Sequence, residues 1–254
     1  MKVALLFSGQ LRKIPLDIFK NSLNILVEGL DYSIYSYCWE EIGDSMNHSK
    51  NIPLIYKSKN IGKEIDNIFN SFNLRRSSFE SYTNYKKLLG SKYNKILTSS
   101  EFHKGTIHSL PQIYSLYKCH QLLEKEEDYL NYDLVFRCRY DSVFIHPLSL
   151  YPLKKIIEDN NIYNINFGRA FYPKRIYDIF FGGSREAMSF ISSLWKDLPS
   201  LVENKFENNL DKRDACRILY LGPSLKDIKV KTFDVRICDV FRNSNDISYE
   251  KYII

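Results

Sequence analysis

Lys2-Val3-Ala4-Leu5-Leu6-Phe7-Ser8-Gly9-Gln10 is a short unbroken apolar run behind a charged start, closed by small polar residues. It does not alternate, and it is too short for a helix. It fits a strand buried on both faces, the kind found in parallel sheets. Working outward, Pro15 suits the first turn of a helix, and Leu16, Phe19, Leu23, Leu26 and Leu30 follow at helical spacing with Gly29 at the end. Tyr32–Tyr37 and Ile52–Tyr56 read as further strands, and Ile61, Ile65, Ile68, Phe69 and Phe72 as an amphipathic helix stripe. Residues 75–105 are polar and aperiodic and read as a loop-rich insertion over a site. Pro111 is expected to open the next helix, and Leu134-Val135-Phe136 forms a central strand.

The second half is less regular. Ile162–Phe167 and Ile176–Phe181 read as strands, with Gly182-Gly183 breaking the second. Ser184 suits the N-cap of a helix whose stripe is Ala187, Phe190, Ile191, Leu194 and Leu198, and Pro199 is expected to stop it. A last helix is expected over Arg213–Leu221, and a strand or hairpin over Val230–Phe241. The order is βαβαβ-like and then mixed, which argues an α/β sheet flanked by helices. One domain is expected, with residues 1–145 as one half and 146–254 as the other.

Composition narrows the class. Hydrophobic residues are 44% and charged residues 26% of 254, close to the average for globular chains and far from disorder. The formal charge of +6 is spread over short clusters rather than a dense basic stripe, which speaks against nucleic acid as a partner. Five cysteines, an odd number with no CxxC pair, suggest neither a disulfide framework nor structural zinc. The N-terminal apolar run is too short for a secretion signal, and no stretch approaches a membrane span, so a cytoplasmic location is expected, with contact at the inner face of a membrane as a variant of it. GxGxxG, the P-loop, GxSxG and HExxH are absent from the sequence, which lowers dehydrogenase, NTPase, hydrolase-elbow and zincin readings.

In parallel α/β sheets, ligands sit outside the carboxyl ends of the strands. That rule selects Ser8-Gly9-Gln10-Leu11-Arg12, Cys38-Trp39-Glu40 and Arg137-Cys138-Arg139-Tyr140-Asp141. The third group is the sharpest. Two arginines and an aspartate after an apolar strand are costly to bury without partners. One reading is an internal salt bridge between Asp141 and an arginine. The other is a site for a phosphorylated ligand, since Arg offers forked donors to phosphate oxygens and Asp a hard ligand for Mn²⁺ or Mg²⁺. His120 on its helical stripe reads as a core residue, and His146 as a candidate late contact.

Arg137-x-Arg139-x-Asp141-x-x-Phe144 resembles the RxRxDxxF segment of GT-A-like glycosyltransferases of bacterial and viral surface-polysaccharide biosynthesis. Ser8-Gly9-Gln10-x-Arg12, the Gln112–Lys118 helix and Asp178-x-Phe180-x-x-Gly183-Ser184 are similar to three further segments of that family. The four segments keep their order and spacing over residues 1–195. The resemblance implies a GT-A-like, Rossmann-like fold, with a mixed, mostly parallel sheet flanked by helices. It implies a nucleotide-diphospho-sugar donor and a glycan or lipid-linked acceptor. Ser8, Gly9, Gln10 and Arg12 would lie under the nucleotide, with Gly9 letting the backbone approach it, and Lys118 and Arg137 would reach its phosphates. Asp141 would hold Mn²⁺ or Mg²⁺. The usual motif is DxD, and here Arg139 stands where the first carboxylate is expected, so Arg137 or Arg139 could neutralise the diphosphate instead. For an inverting enzyme Asp178 is preferred over Glu207 and Asp214 as the base for the acceptor hydroxyl, whereas a retaining enzyme needs no such base. The single carboxylate also leaves open a carbohydrate-binding or glycan-assembly protein without turnover.

Overall fold

The computed structural model describes residues 1–12, 15–43, 55–57, 60–92, 104–164, 176–205, 219, 226–234 and 237–240. In chain order its elements are β1 (Lys2–Gly9), α1 (Leu16–Val27), β2 (Asp31–Trp39), β3 (Glu41–Gly43), β4 (Ile55–Lys57), α2 (Ile61–Phe69), β5 (Leu74–Glu80), α3 (Tyr82–Lys92), α4 (Lys104–Glu124), β6 (Leu134–Cys138), β7 (Ser142–Phe144), α5 (Leu153–Asp159), β8 (Ile162–Asn164), β9 (Phe180–Ser184), α6 (Arg185–Lys205), β10 (Val230–Thr232) and β11 (Cys238–Val240). Seven strands form one sheet in the order β5-β2-β1-β6-β9-β8-β10. β5, β2, β1 and β6 are mutually parallel, and β10 runs parallel to β8. β9 alone is reversed, antiparallel to β6 on one side and β8 on the other. The mostly parallel, helix-flanked α/β sheet expected from the alternation of elements is therefore present.

The pleat explains the layering. Val3, Leu5 and Phe7 point to one face, where they pack with Phe19, Leu23 and Leu26 of α1 and Ile61, Ile65 and Phe69 of α2. Ala4 and Leu6 point to the other, against Ile113, Leu116, Cys119 and Leu123 of α4 and Ile191, Leu194 and Leu198 of α6. A strand covered on both faces has no use for alternation, so its sequence is a solid apolar run.

Five local expectations are corrected. Within residues 75–105, expected to be a loop-rich insertion, residues 75–80 belong to β5 and Tyr82–Lys92 form α3. β5 is an edge strand with Arg75, Arg76, Ser77 and Phe79 exposed, so its pairing with β2 rests on backbone hydrogen bonds and leaves no apolar signature. Pro111 does not open a helix. It lies inside α4, which begins at Lys104. An interior proline costs about 3 kcal/mol, and burying Leu110, Ile113, Leu116 and Leu123 at about 1.5–3 kcal/mol each outweighs it. Pro199 likewise does not stop α6, which runs on to Lys205.

The fourth correction concerns Gly182-Gly183. They do not break a strand but form the middle of β9, while Ile176–Ile179 lie before it. A Cβ on Gly182 would stand 2.1 Å from Phe136 Cδ1 and 2.5 Å from the Val135 carbonyl oxygen; one on Gly183 would stand 2.3 Å from the Asn161 carbonyl oxygen. The reversed strand fits between β6 and β8 because it has no side chains there. Ser184 caps α6 as expected, accepting from the Ala187 backbone N–H at 3.1 Å. Val230–Thr232 and Cys238–Val240 are not a hairpin: β10 joins the main sheet, while β11 pairs antiparallel with β7. Of the expected Arg213–Leu221 helix, all but Leu219 lies outside the described residues, as do residues 52–54 and 165–167 of two expected strands.

Candidate functional site

β2 lies on one side of β1 and β6 on the other, so the strand order reverses direction at β1. In open α/β sheets the crevice outside the carboxyl ends at such a point is where ligands bind. Two chain segments leave the sheet there, Gly9–Arg12 after β1 and Arg139–Asp141 after β6.

The first turn depends on Gly9, whose φ of +122° is a conformation that L side chains rarely adopt. A Cβ there would be 4.0 Å from its nearest neighbour, Ser115 Oγ, so the backbone angle rather than crowding calls for glycine. The second turn is held from below. Tyr140 is buried and donates its hydroxyl to the Phe7 carbonyl at 3.0 Å, and its oxygen lies 2.8 Å from Ser36 Oγ. The Arg139 N–H donates to the Ile179 carbonyl at 3.1 Å, and the Ser142 N–H to the Arg139 carbonyl at 3.2 Å. These bonds tie the Arg139–Asp141 turn to β1, β2 and the segment that leads into β9.

Three guanidiniums gather around these turns. Arg137, 1% exposed, points to the α4 face of the sheet. Its Nε donates to Ser8 Oγ at 3.1 Å and its Nη2 to Gln112 Oε1 at 3.2 Å, and its guanidinium lies 5.9 Å from the centre of the Phe181 ring. Arg139 grips Asp141 with two bonds, Nε to Oδ1 at 2.8 Å and Nη2 to Oδ2 at 2.6 Å, and its Nη1 donates to Asp178 Oδ2 at 3.3 Å. Arg12 Nε stands 3.2 Å from Asp141 Oδ2. The side chains of Arg12 and Arg139 keep 26% and 20% of their surface exposed, so both stay partly open to solvent within an ion-pair network. Asp141 itself is buried. Burial opposes its charged form, but Arg139 and then Arg12 outweigh that and hold its carboxyl below the usual carboxylate range.

The internal salt bridge of the first reading is present, with Asp141 holding both Arg139 and Arg12. Asp178 joins the same group through Arg139, and its loop is fixed by the Tyr177 N–H donating to Asn164 Oδ1 at 3.0 Å. The structure does not bring Lys118 into this group. It lies six residues beyond Gln112, about 9 Å further along α4, with its ammonium 6.0 Å from the Tyr114 ring. Gln10 is half-buried at the end of the first turn. Glu207 and Asp214 lie outside the described residues.

At the end of β2, Cys38 and Trp39 are core rather than ligand surface. Burial pushes the Cys38 thiol up to about 12, and Trp39 stacks on Tyr114 with ring centres 5.9 Å apart. His120 is buried as read, 3.3 Å from Glu124. Gln112 had not been singled out. Its signal lies in the spacing of Gln112, Ser115 and Cys119, polar or small residues at helical intervals on α4, of which Gln112 meets Arg137 of β6 and Cys119 the Phe7 carbonyl of β1.

The residues test poorly as a cation site. Asp141 presents both oxygens to guanidinium nitrogens, and Asp178, the other carboxylate in the group, also accepts from Arg139. Among the described residues there is no group of three His, Cys, Asp or Glu side chains that could hold a metal ion. Among the same residues, no helix is long and apolar enough to cross a membrane.

No protein-family model matches the chain, and no curated protein sequence does. Among solved structures, mouse xyloside xylosyltransferase 1 in its apo form is similar, with a TM-score of 0.47 and 11% identity over 92% of this chain and 86% of that one.

Proposed function

We propose that the chain is a glycosyltransferase that moves a sugar from a nucleotide-diphospho-sugar to a glycan or lipid-linked acceptor. The observation that carries this is the convergence of Arg12, Arg137 and Arg139 at the carboxyl ends of β1 and β6, where the strand order reverses. Forked, permanently charged donors at a strand-end crevice suit the diphosphate of a nucleotide sugar. The resemblance of four sequence segments to GT-A-like enzymes points the same way.

In the proposed reaction the acceptor hydroxyl oxygen bonds to the anomeric carbon. The bond from that carbon to the β-phosphate oxygen breaks, and its electron pair leaves with the nucleoside diphosphate. The hydroxyl proton passes to the Asp178 carboxylate. The guanidiniums face the charge that develops on the leaving diphosphate, where fixed donors lower the barrier most.

Two outcomes test this. A saturating nucleoside diphosphate, at about a hundred times its Kd, is expected to stabilise the protein by about 2.7 kcal/mol, which at this size raises Tm by about 5–10 °C. A panel of UDP, GDP, CDP and ADP read by thermal shift checks it. The rise should appear for one base and vanish in Arg139→Ala. No rise with any nucleotide on well-folded protein would remove the transferase reading and favour a glycan-binding protein without turnover. Separately, Asp178→Asn is expected to lower the transfer rate by about 10²–10⁴ while leaving the nucleotide-induced Tm rise in place. An active Asp178→Asn enzyme would take the base away from this residue.

A further inference from the structure

Asp141 occupies the position where the family resemblance implies a metal ligand, yet its surroundings are those of an arginine holder. A carboxylate offers about four lone-pair directions. Three guanidinium nitrogens meet those of Asp141, at 2.6, 2.8 and 3.2 Å. Mg²⁺-like ions need about six oxygen ligands at about 2.1 Å. An ion at Asp141 would have to stand where Arg139 and Arg12 already place positive charge, and Asp178, the next carboxylate, is tied to Arg139 as well.

The geometry points to a diphosphate site that works without a divalent cation, and we infer that Asp141 is a positioning residue for the two arginines that replace it. Asp141 fixes the plane of Arg139 by a two-point grip and draws Arg12 in from the β1 turn. A guanidinium whose plane is already fixed loses less freedom when it meets a phosphate. Arg137 adds a third guanidinium, oriented by Ser8 and Gln112. Two fixed guanidiniums and a third behind them supply the charge that a bridging cation supplies elsewhere. The inference rests on the nucleotide-sugar reading and deepens it by naming how the diphosphate is recognised.

Isothermal titration of the full chain with UDP, GDP and inorganic pyrophosphate, each in excess EDTA and again with Mn²⁺, separates the possibilities. The expected result is a nucleotide Kd in EDTA within about threefold of that with Mn²⁺, with pyrophosphate also binding in EDTA. Arg12→Gln, at a partly exposed position, should weaken EDTA-condition binding by about tenfold, one charge-assisted contact. Asp141→Asn should weaken binding equally with and without Mn²⁺, because it loosens the arginines in both conditions. Nucleotide binding that appears only with Mn²⁺ overturns this inference and leaves the transferase reading standing. Absence of nucleotide and pyrophosphate binding in both conditions overturns both.

Discussion

Gly182→Ala is expected to destabilise the protein by about 3 kcal/mol, at the upper end of what one added methyl does in a filled core. The new Cβ would sit 2.1 Å from Phe136 Cδ1 and 2.6 Å from its Cγ, with the Val135 carbonyl at 2.5 Å. A flexible side-chain tip could move aside. Here one obstacle is backbone in the ladder to β6, and the other is a ring stacked on Phe180 with centres 5.5 Å apart. Relief requires β9 to shift away from β6, which also pulls on Arg137 and Phe181, partners across that ladder. At this chain size the cost corresponds to a Tm lowered by about 6–12 °C. Gly62→Ala is the control. It sits in α2, its added Cβ would meet only ordinary contacts at 3.7 Å and beyond, and removing the freedom of glycine from a helix should stabilise by about 0.5–1 kcal/mol. Thermal melts of both variants check the pair. A Gly182→Ala protein as stable as the parent would mean that β9 does not lie against β6 as described.

The second large effect is a pH-dependent one at Asp141. At neutral pH Asp141→Asn should cost about 2–4 kcal/mol, somewhat less than the loss of one partner from a fully buried ion pair, because Arg12 and Arg139 are partly exposed. The direction with acid follows from the depressed carboxyl of the folded chain. Above the unfolded value of about 3.9 both states are ionised, and the full contribution is present. As pH falls below that value the unfolded chain takes up the proton first, and the contribution fades until the folded carboxyl is also protonated. Parent and variant should therefore differ most at neutral pH and converge in acid. Urea midpoints of the two proteins across that range measure it. A gap that stays constant would mean that the arginines do not stabilise the charge of Asp141.

The layers of the fold were legible wherever burial was two-sided. β1 is a solid apolar run from Val3 to Phe7 because it is covered by helices on both faces, β2 and β6 are mainly apolar with buried Ser33, Ser36 and Arg137 among their residues, and α1 and α2 carry stripes because each is covered on one face. Legibility failed where backbone bonding or distant packing overrode local preference. β5 pairs through its main chain at an exposed edge, so Arg75-Arg76-Ser77-Ser78 reads as loop. α4 and α6 carry prolines that would end an isolated helix, but the apolar faces of both are held against the sheet. β9 contains two glycines that look like a break, and the reason for them lies in Phe136 and Asn161, tens of residues away.

The candidate site divides in the same way. Arg137, Arg139 and Asp141 could be singled out from sequence because charges after an apolar strand need an explanation. Arg12 could be singled out because it follows the turn that ends another such strand. These are local facts, written in the order of residues along single strands. Their pairing is not local. The reach of Arg12 to Asp141, of Arg137 to Ser8 and Gln112, and of Arg139 to Asp178 joins four segments spread between Ser8 and Asp178. Which segments are buried and which charges stand at their ends is written locally, since burial of a run depends on its own hydrophobicity. Which charges meet is set by folding alone, because it depends on the strand order and on a reversed β9 that carries the loop of Asp178 to the carboxyl end of β6. The role of Asp141 turns on that second kind of information, since the same carboxylate would be a metal ligand in one set of neighbours and is an arginine holder in this one.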